Sequence, residues 1–281
     1  MDNNALKLVQ EHEIFILREI LKIIDKYKLR YYMLGGTLLG AVRHHGFIPW
    51  DDDIDIGIPR PDYEKFVEVI GDELKDPFAI HSLQSGLCEF SYYYVRIVDT
   101  RVKVLRKKAE KDVVLPIWVD VFPLDGVPED ERERKHWLKK ARQLHKEFRI
   151  SQFYYYYYTT NVWKEKNGSI KTLFRRFIGK TGLYRLLNTE RVWEKLDRQL
   201  KMYDYDKARR IINFCGFWGD KEMFPKSVYG EGRLYPFEDL MLIGPVDYDY
   251  VLRQMYGDYM TPPEESKRHV HVSLVVEEEH P

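Results

Sequence analysis

The segment Trp50-Asp51-Asp52-Asp53-Ile54-Asp55-Ile56-Gly57 alternates carboxylates with isoleucines. Alternation of period two is a strand pattern, and side chains two apart on a strand share a face. Asp53 and Asp55 are therefore expected on one face, with Asp51 beside them if the strand reaches that far, while Ile54 and Ile56 anchor the other face in a core. Carboxylates set side by side repel unless something neutralises them. A divalent cation does this, and a hard ion such as Mg²⁺ takes carboxylate oxygens. A solvated acidic turn would need neither the alternating isoleucines nor the bracketing Trp50 and Pro59. A calcium loop of the EF-hand type would use Asp51, Asp53, Asp55 and Asp62 at its positions 1, 3, 5 and 12. Its position 6 requires glycine and here is Ile56, and prolines follow where a helix should start.

Upstream, Gly35-Gly36 stands between a short apolar run, Tyr31 to Leu34, and a helical pattern. Glycines between a strand and a helix let backbone N–H groups approach an anion, and the positive end of the helix dipole adds to the attraction. Gly35, Gly36 and Thr37 thus suit a phosphate, with Thr37 expected to cap a short helix through about His44. Arg43 and His44 at the end of that helix could hold a phosphate or a sugar, or form a surface salt bridge.

Other elements must position these groups. Ile14, Leu17, Leu21 and Ile24 predict an amphipathic helix over Leu6 to Lys28. A strand is expected over Asp53–Ile58 and a helix over Asp62–Leu74. Strands are expected over Phe78–Leu83, Phe90–Val98, Arg101–Leu105 and Ile117–Phe122, after which Pro123, Gly126 and Pro128 punctuate the chain. Helices are expected over Glu129–Ile150, Thr172–Ile178, Arg191–Met202 and Asp247–Tyr256, with a strand over Ile211–Phe217. The expected class is α+β, with a mixed-sheet core over residues 1–128 and a mainly helical part over 129–281 that completes the cleft.

The 281 residues balance 45 Lys and Arg against 45 Asp and Glu, which argues against a global electrostatic grip on nucleic acid. Two cysteines, Cys88 and Cys215, are too few for a disulfide scaffold or a four-cysteine zinc site and read as buried thiols. The N-terminus lacks the basic start, apolar core and cleavage site of a signal peptide, and no run approaches the ~20 apolar residues that span a bilayer. The expectation is a cytoplasmic protein, with peripheral contact at the inner face of a membrane left open.

Two blocks resemble the LicD/fukutin family of the nucleotidyltransferase superfamily. The first is Gly35-Gly36-Thr37-Leu38-Leu39-Gly40-Ala41-Val42-Arg43-His44 with Gly46-Phe47-Ile48-Pro49-Trp50-Asp51-Asp52-Asp53-Ile54-Asp55-Ile56-Gly57. The second is Trp118-Val119-Asp120-Val121-Phe122-Pro123-Leu124-Asp125-Gly126. A looser third block runs from Phe224-Pro225 through Tyr256-Gly257-Asp258-Tyr259-Met260 to Pro262-Pro263. The resemblance implies a nucleotidyltransferase-like fold and a metal-dependent transferase. It would move a phospho-alcohol, phosphocholine from CDP-choline in bacterial members and ribitol phosphate in fukutin relatives, onto a sugar hydroxyl of a cell-surface glycan or its lipid-linked precursor, such as lipopolysaccharide or teichoic acid, releasing CMP. It implies Asp53, Asp55 and Asp120 as metal ligands and catalytic carboxylates, with Mg²⁺ (or Mn²⁺) bridging the donor pyrophosphate and Asp120 free to take the acceptor proton. Asp120 lies on its own apolar run between Val119 and Val121, which agrees. Gly35, Gly36, Thr37, Arg43 and His44 would contact the donor.

A glycosyltransferase using Asp-x-Asp and a nucleotide-sugar, transfer of the nucleotide itself, and a calcium-dependent carbohydrate-binding module are the competing readings. The first gives no reason for Gly-Gly upstream. Tyr154–Tyr158 could bind a quaternary ammonium group or serve helix packing. Arg268, His269 and His271 could touch substrate or form a solvated tail. Asp125 is expected to cap the turn before Gly126, and His12, His136 and His145 are expected on exposed helix faces.

Overall fold

A computed structural model describes residues 3–82, 94–106, 113–152, 177–178, 180–265 and 274–278. Helix α1 (Asn3–Tyr27) buries Leu6, Val9, Ile16, Leu17, Ile20, Ile23 and Ile24. This stripe is rotated from the one expected, since Ile14 and Leu21 are only half-buried at its edge, and it is interrupted by the buried Glu13. Strand β1 (Tyr32–Met33) leads into α2 (Gly35–His44), β2 (Asp55–Pro59) and α3 (Arg60–Glu73), where Pro61 sits in the first helical turn. Then follow β3 (Phe78–His81), β4 (Val95–Arg106) and β5 (Val113–Val127).

One curled mixed sheet runs in the order β1-β2-β5-β4, with β3 against β4. The β2–β5 pairing is parallel, and the β1–β2, β3–β4 and β4–β5 pairings are antiparallel. Strand β4 joins two runs that the sequence suggests are separate, and a register shift between Asp99 and Lys103 absorbs the irregularity. Strand β5 is longer than expected and passes through Pro123 and Gly126. Beyond Val121 it no longer pairs with β4, so a proline lacking its N–H is tolerated on that side.

The second half contains α4 (Glu131–Ser151), capped by Asp130, and α5 (Thr189–Leu200), capped by Asn188. They pack through Trp137, Leu138, Ala141, Leu196 and Leu200, and the Trp137 indole N–H donates to the Gln199 carbonyl at 2.8 Å. Read as mainly helical, this half also supplies strands: β6 (Arg210–Ile212), β7 (Met223–Pro225), the hairpin β8 (Arg233–Phe237)–β9 (Leu240–Gly244), and β10 (Leu274–Glu278). Of these, β6 extends the sheet beside β5, β7 pairs with β6, and β10 pairs with β4. The short helix α6 (Lys226–Tyr229) precedes the β8–β9 hairpin, and α7 (Tyr248–Tyr256), capped by Asp247, lines the cleft. Strand β6 stops well short of Phe217, because residues 213–222 turn back as a loop closed by a 3₁₀ turn at Gly219–Glu222. Among the described residues no helix is long and apolar enough to cross a membrane.

Asp125 does not cap a turn. It is fully buried and binds Arg60 through two contacts of 2.6 and 2.8 Å, while Arg60 also reaches Asp197 at 3.2 Å. This ties the start of α3, the end of β5 and α5 together. Removing one member of a buried ion pair strands the other charge. Asp125→Ala is expected to lower the unfolding free energy by about 3 kcal/mol, with Asp197 left as a partial partner. Urea unfolding checks this, and a loss below ~1 kcal/mol would show that the pair holds little of the junction.

Candidate active site

Pairing register places the acidic groups. Asp55 on β2 lies opposite Asp120 on β5, and Arg96 on β4 lies opposite Asp120 from the other side. Directly opposed residues share a sheet face, so three neighbouring strands carry Asp55, Asp120 and Arg96 in one row. The adjacent row, Ile56, Val121 and Val95, is buried on the opposite face, as the alternation in the sequence requires.

Both oxygens of Asp120 accept from Arg96, from Nε at 2.6 Å and Nη2 at 2.7 Å. The Arg96 guanidinium lies 4.4 Å from the centre of the Trp118 ring, which holds it by cation–π attraction. Asp55 has its backbone fixed on both sides: its N–H donates to Thr37 Oγ1 at 2.8 Å, and its carbonyl accepts from the Leu34 N–H at 3.0 Å. Burial pushes the Asp55 carboxyl well above the usual carboxylate range, and the charges of Asp53, Asp120 and Asp51 push it further.

Asp51 and Asp53 belong to the loop before β2, since the strand begins at Asp55 and not at Asp53. That loop is held by Gln10, whose side-chain N–H₂ donates to the Asp51 carbonyl at 2.9 Å, and by the Asp51 N–H bonded to the Ile48 carbonyl at 2.8 Å. Beneath it lies Glu13 of α1, whose carboxyl is driven upward first by burial and then by Asp53, Asp52, Asp51 and Asp55.

Helix α2 begins at Gly35, one residue after Leu34, and Leu34 supplies no side-chain cap. Thr37 is not that cap: it is buried and its hydroxyl serves Asp55. The first turn of α2 instead meets the cleft through Gly35 and Gly36. At Gly36 a Cβ would lie 2.6 Å from Asp51 Oδ2, so a side chain there would displace that carboxylate. At Gly35, with φ of +47°, a Cβ would lie 3.7 Å from both Asp55 Oδ2 and the Tyr256 hydroxyl.

These groups surround a cleft of about 680 Å³, large enough for a nucleotide-sized ligand. Its lining includes Gly35, Gly36, Arg43, Asp53, Asp55 and Asp120, but neither Thr37 nor His44. Arg43 is oriented by the Tyr259 carbonyl, to which Nη1 donates at 2.6 Å, and by His44 Nε2 at 2.9 Å from its Nε. His44 stands edge-on to Trp50 at 6.4 Å. His12 and His145 are half-buried away from the cleft, not exposed: His12 pairs with Asp99 at 2.9 Å, and burial lowers His145 to about 4. His136 is exposed and Cys215 is buried, as expected. Tyr154–Tyr158, Arg268, His269, His271 and Cys88 lie outside the described residues.

Two contributors, Arg96 and Glu222, carry no periodic or motif signal in the sequence, and a third, Tyr256, appears there only within the looser third block. Arg96 is found only through strand register. Tyr256 comes from α7, and Glu222 from the 3₁₀ turn. Glu222 is 6% exposed and lines the cleft, accepting from Asn213 Nδ2 at 2.7 Å and the Trp218 N–H at 2.9 Å. Burial raises it to about 7, against the lowering effect of those two donors.

The lining carboxylates Asp51, Asp53, Asp55, Asp120, Glu222 and Asp258 outnumber the lining cations Arg43 and Arg96. Among the described residues no three His, Cys, Asp or Glu side chains are arranged to hold an ion as they stand. The donor chemistry nevertheless fits a hard divalent cation: oxygen ligands crowd Asp55, and their mutual repulsion is what such an ion relieves.

Residues 28–152 match the LicD/FKTN/FKRP nucleotidyltransferase domain family. Over 251 residues the chain is 27% identical to the lipopolysaccharide cholinephosphotransferase LicD of Haemophilus influenzae, covering 89% of each protein. Over 56 residues it is 39% identical to the human ribitol 5-phosphate transferase FKRP, covering 20% of this chain and 11% of that protein.

A carboxyl raised by folding keeps its proton in the native state after the unfolded chain has lost it, so stability falls as pH climbs between the two values. For Glu222 that window runs from its ordinary value of 4.5 to about 7. From pH 5 to pH 8, Glu222 is expected to remove roughly 2–3 kcal/mol of stability. Unfolding curves for the native chain and Glu222→Gln across this range should differ in slope by that amount; parallel slopes would contradict the burial argument.

Proposed function

From the premise that residues 28–152 form a LicD-type nucleotidyltransferase domain, we propose that this chain transfers a phospho-alcohol from a nucleotide-diphospho donor to a sugar hydroxyl. The donor is CDP-choline, the acceptor a cell-surface glycan or its lipid-linked precursor, and CMP leaves. The similarity to a lipopolysaccharide cholinephosphotransferase along nearly the whole chain supports this choice of donor and acceptor. The observation that carries the reading is the row Asp55–Asp120–Arg96 beside the Gly35-Gly36 helix start, facing a cleft with excess negative charge. A diphosphate is itself anionic, so it enters such a cleft only with a cation.

Asp53 and Asp55 would hold that cation, Mg²⁺ or Mn²⁺, and Asp120 would be the third carboxylate. A carboxylate has about four lone-pair sites, so the two bonds from Arg96 leave Asp120 capacity on its cleft side. When bound, the ion neutralises donor phosphate charge and orients the pyrophosphate for in-line attack. Thr37 and Leu34 hold the Asp55 backbone at a fixed distance from the first turn of α2. The amide groups of that turn face the donor phosphates, where the dipole favours negative charge. Arg43, steered by the Tyr259 carbonyl, adds a cation at the rim. Arg96 fixes the rotamer of Asp120, which is then placed to accept the proton of the attacking sugar hydroxyl. The reaction would run in the cytoplasm, where a lipid-linked acceptor requires peripheral contact with the membrane face.

Incubation with CDP-choline, CDP-ribitol and CDP-glycerol, each with Mg²⁺ and with or without glycan acceptors, tests the reading by CMP release. CMP and a phosphodiester-linked product are expected with CDP-choline. Asp53→Asn and Asp55→Asn should each lower turnover by at least ~10³-fold while circular dichroism is retained. Near-normal turnover in either variant, or a glycosidic product from a nucleotide-sugar, would overturn it.

A further inference from the structure

Phe217 is 93% exposed and Trp218 38% exposed, at the mouth of the acidic cleft. Large aromatic side chains left in water beside a binding cleft are unusual and mark contact surfaces. These two are not on a loose loop. The Trp218 N–H is bonded to Glu222, the Asn213 N–H to the Glu222 carbonyl at 3.2 Å, and Gln254 of α7 donates to the Lys221 and Met223 carbonyls at 2.6 and 3.0 Å. Their rings form a connected set: Phe217 meets Trp218 edge-on at 5.6 Å, and Trp218 meets Tyr256 edge-on at 5.4 Å. Tyr256 in turn reaches the cleft floor, its hydroxyl flanking the same Gly35 as the Asp55 carboxylate. The aromatic set therefore begins where the donor phosphates would lie and runs outward.

Behind it sits an acid. The Glu222 carboxylate lies against the bare α-carbon of Gly216, where a Cβ would fall 2.0 Å from both carboxylate oxygens. The carboxylate is thus packed directly under the loop that carries Phe217 and Trp218. Rings offering negative π-faces, with a buried carboxylate close by, suit a cation that is bulky and poorly hydrated. A neutral polyol would ask for hydrogen-bond donors and acceptors instead. The Trp218 ring already attracts a cation, since the Lys221 ammonium rests 5.2 Å from its centre.

We propose that Phe217, Trp218 and Tyr256, backed by Glu222, form the subsite for the head group of the transferred alcohol, and that this head group is a quaternary ammonium. The assignment deepens the donor reading above and rests on it. It places the phosphates at Gly35-Gly36 and the alcohol toward Trp218, with the nucleoside on the opposite side of the diphosphate.

Calorimetric titration of phosphocholine and, separately, of CMP into the native chain, Phe217→Leu and Trp218→Leu tests it without requiring turnover. Phosphocholine should bind the native chain, be displaced by tetramethylammonium, and weaken about tenfold in each variant, while CMP affinity stays within about twofold. Native-like phosphocholine affinity in both variants would overturn the subsite. So would a parallel loss of CMP affinity, which would assign the rings to stacking on the base. A native chain that releases CMP from CDP-ribitol but not from CDP-choline, with Phe217→Leu unimpaired, would sink the subsite and leave the transfer reading standing. Phosphocholine binding with these losses but no CMP release from any CDP-alcohol would sink the transfer reading alone.

Discussion

The structure depends on the repulsion between Asp55 and Asp120, which register forces into adjacent positions on parallel strands. Two carboxylates so placed, Asp120 buried and Asp55 half-buried, oppose folding unless each is answered. Asp120 is answered within the fold, because β4 brings Arg96 to its other side and Trp118 holds the guanidinium. Asp55 has no such answer in the row, and its carboxyl is pushed upward accordingly. The protein carries this cost on one sheet face and offsets it on the other, where Ile56, Val121 and Val95 are buried. The unbalanced charge is local, at the start of β2, and the cleft opens there.

Elements distant in sequence keep that charge in place. Helix α1 reaches the acidic loop through Gln10 and lays Glu13 beneath it. The β8–β9 turn clips the segment before the loop: Glu238 accepts from the Phe47 N–H at 3.0 Å, and its own N–H donates to the His45 carbonyl at 2.9 Å. Arg18 of α1 pairs with Asp239 of the same turn. Helix α7 and the 213–222 loop close the cleft from the remaining side. The family-matched segment, residues 28–152, thus supplies the acidic row and the glycines, and the second half supplies Glu222, Trp218 and Tyr256.

Much of this was legible in the sequence, for physical reasons. The Asp–Ile alternation had to put one face in the core, and it does. Gly35-Gly36 marked a helix start at the cleft, and the Val119-Asp120-Val121 run placed its aspartate on the correct face. The misreadings have equally physical causes. Thr37 is a good capping residue by type, but a hydroxyl that can accept from any N–H was taken by Asp55. Asp125 before a glycine resembles a turn cap, yet Arg60, 65 positions away, claims it. Punctuation at Pro123 and Gly126 suggested that β5 ends there, whereas pairing moves from β4 to β6 along the same strand. Of the second-half strands only the one at Ile211 was expected; β7, β8, β9 and β10 are short, mixed runs, three of them paired within that half and β10 paired with β4 in the first. Arg96 and Glu222 have no local signature because their roles come from what lies across a strand or a loop.

The proposed cation site is built around Asp55 at the start of β2. Electron paramagnetic resonance titration of Mn²⁺ in the presence of CMP, comparing the native chain with Asp55→Asn, addresses it most directly. The account requires bound Mn²⁺ in the native chain, displaced by Mg²⁺ and lost in the variant. Equal Mn²⁺ binding by both proteins, or none by the native chain, would contradict it.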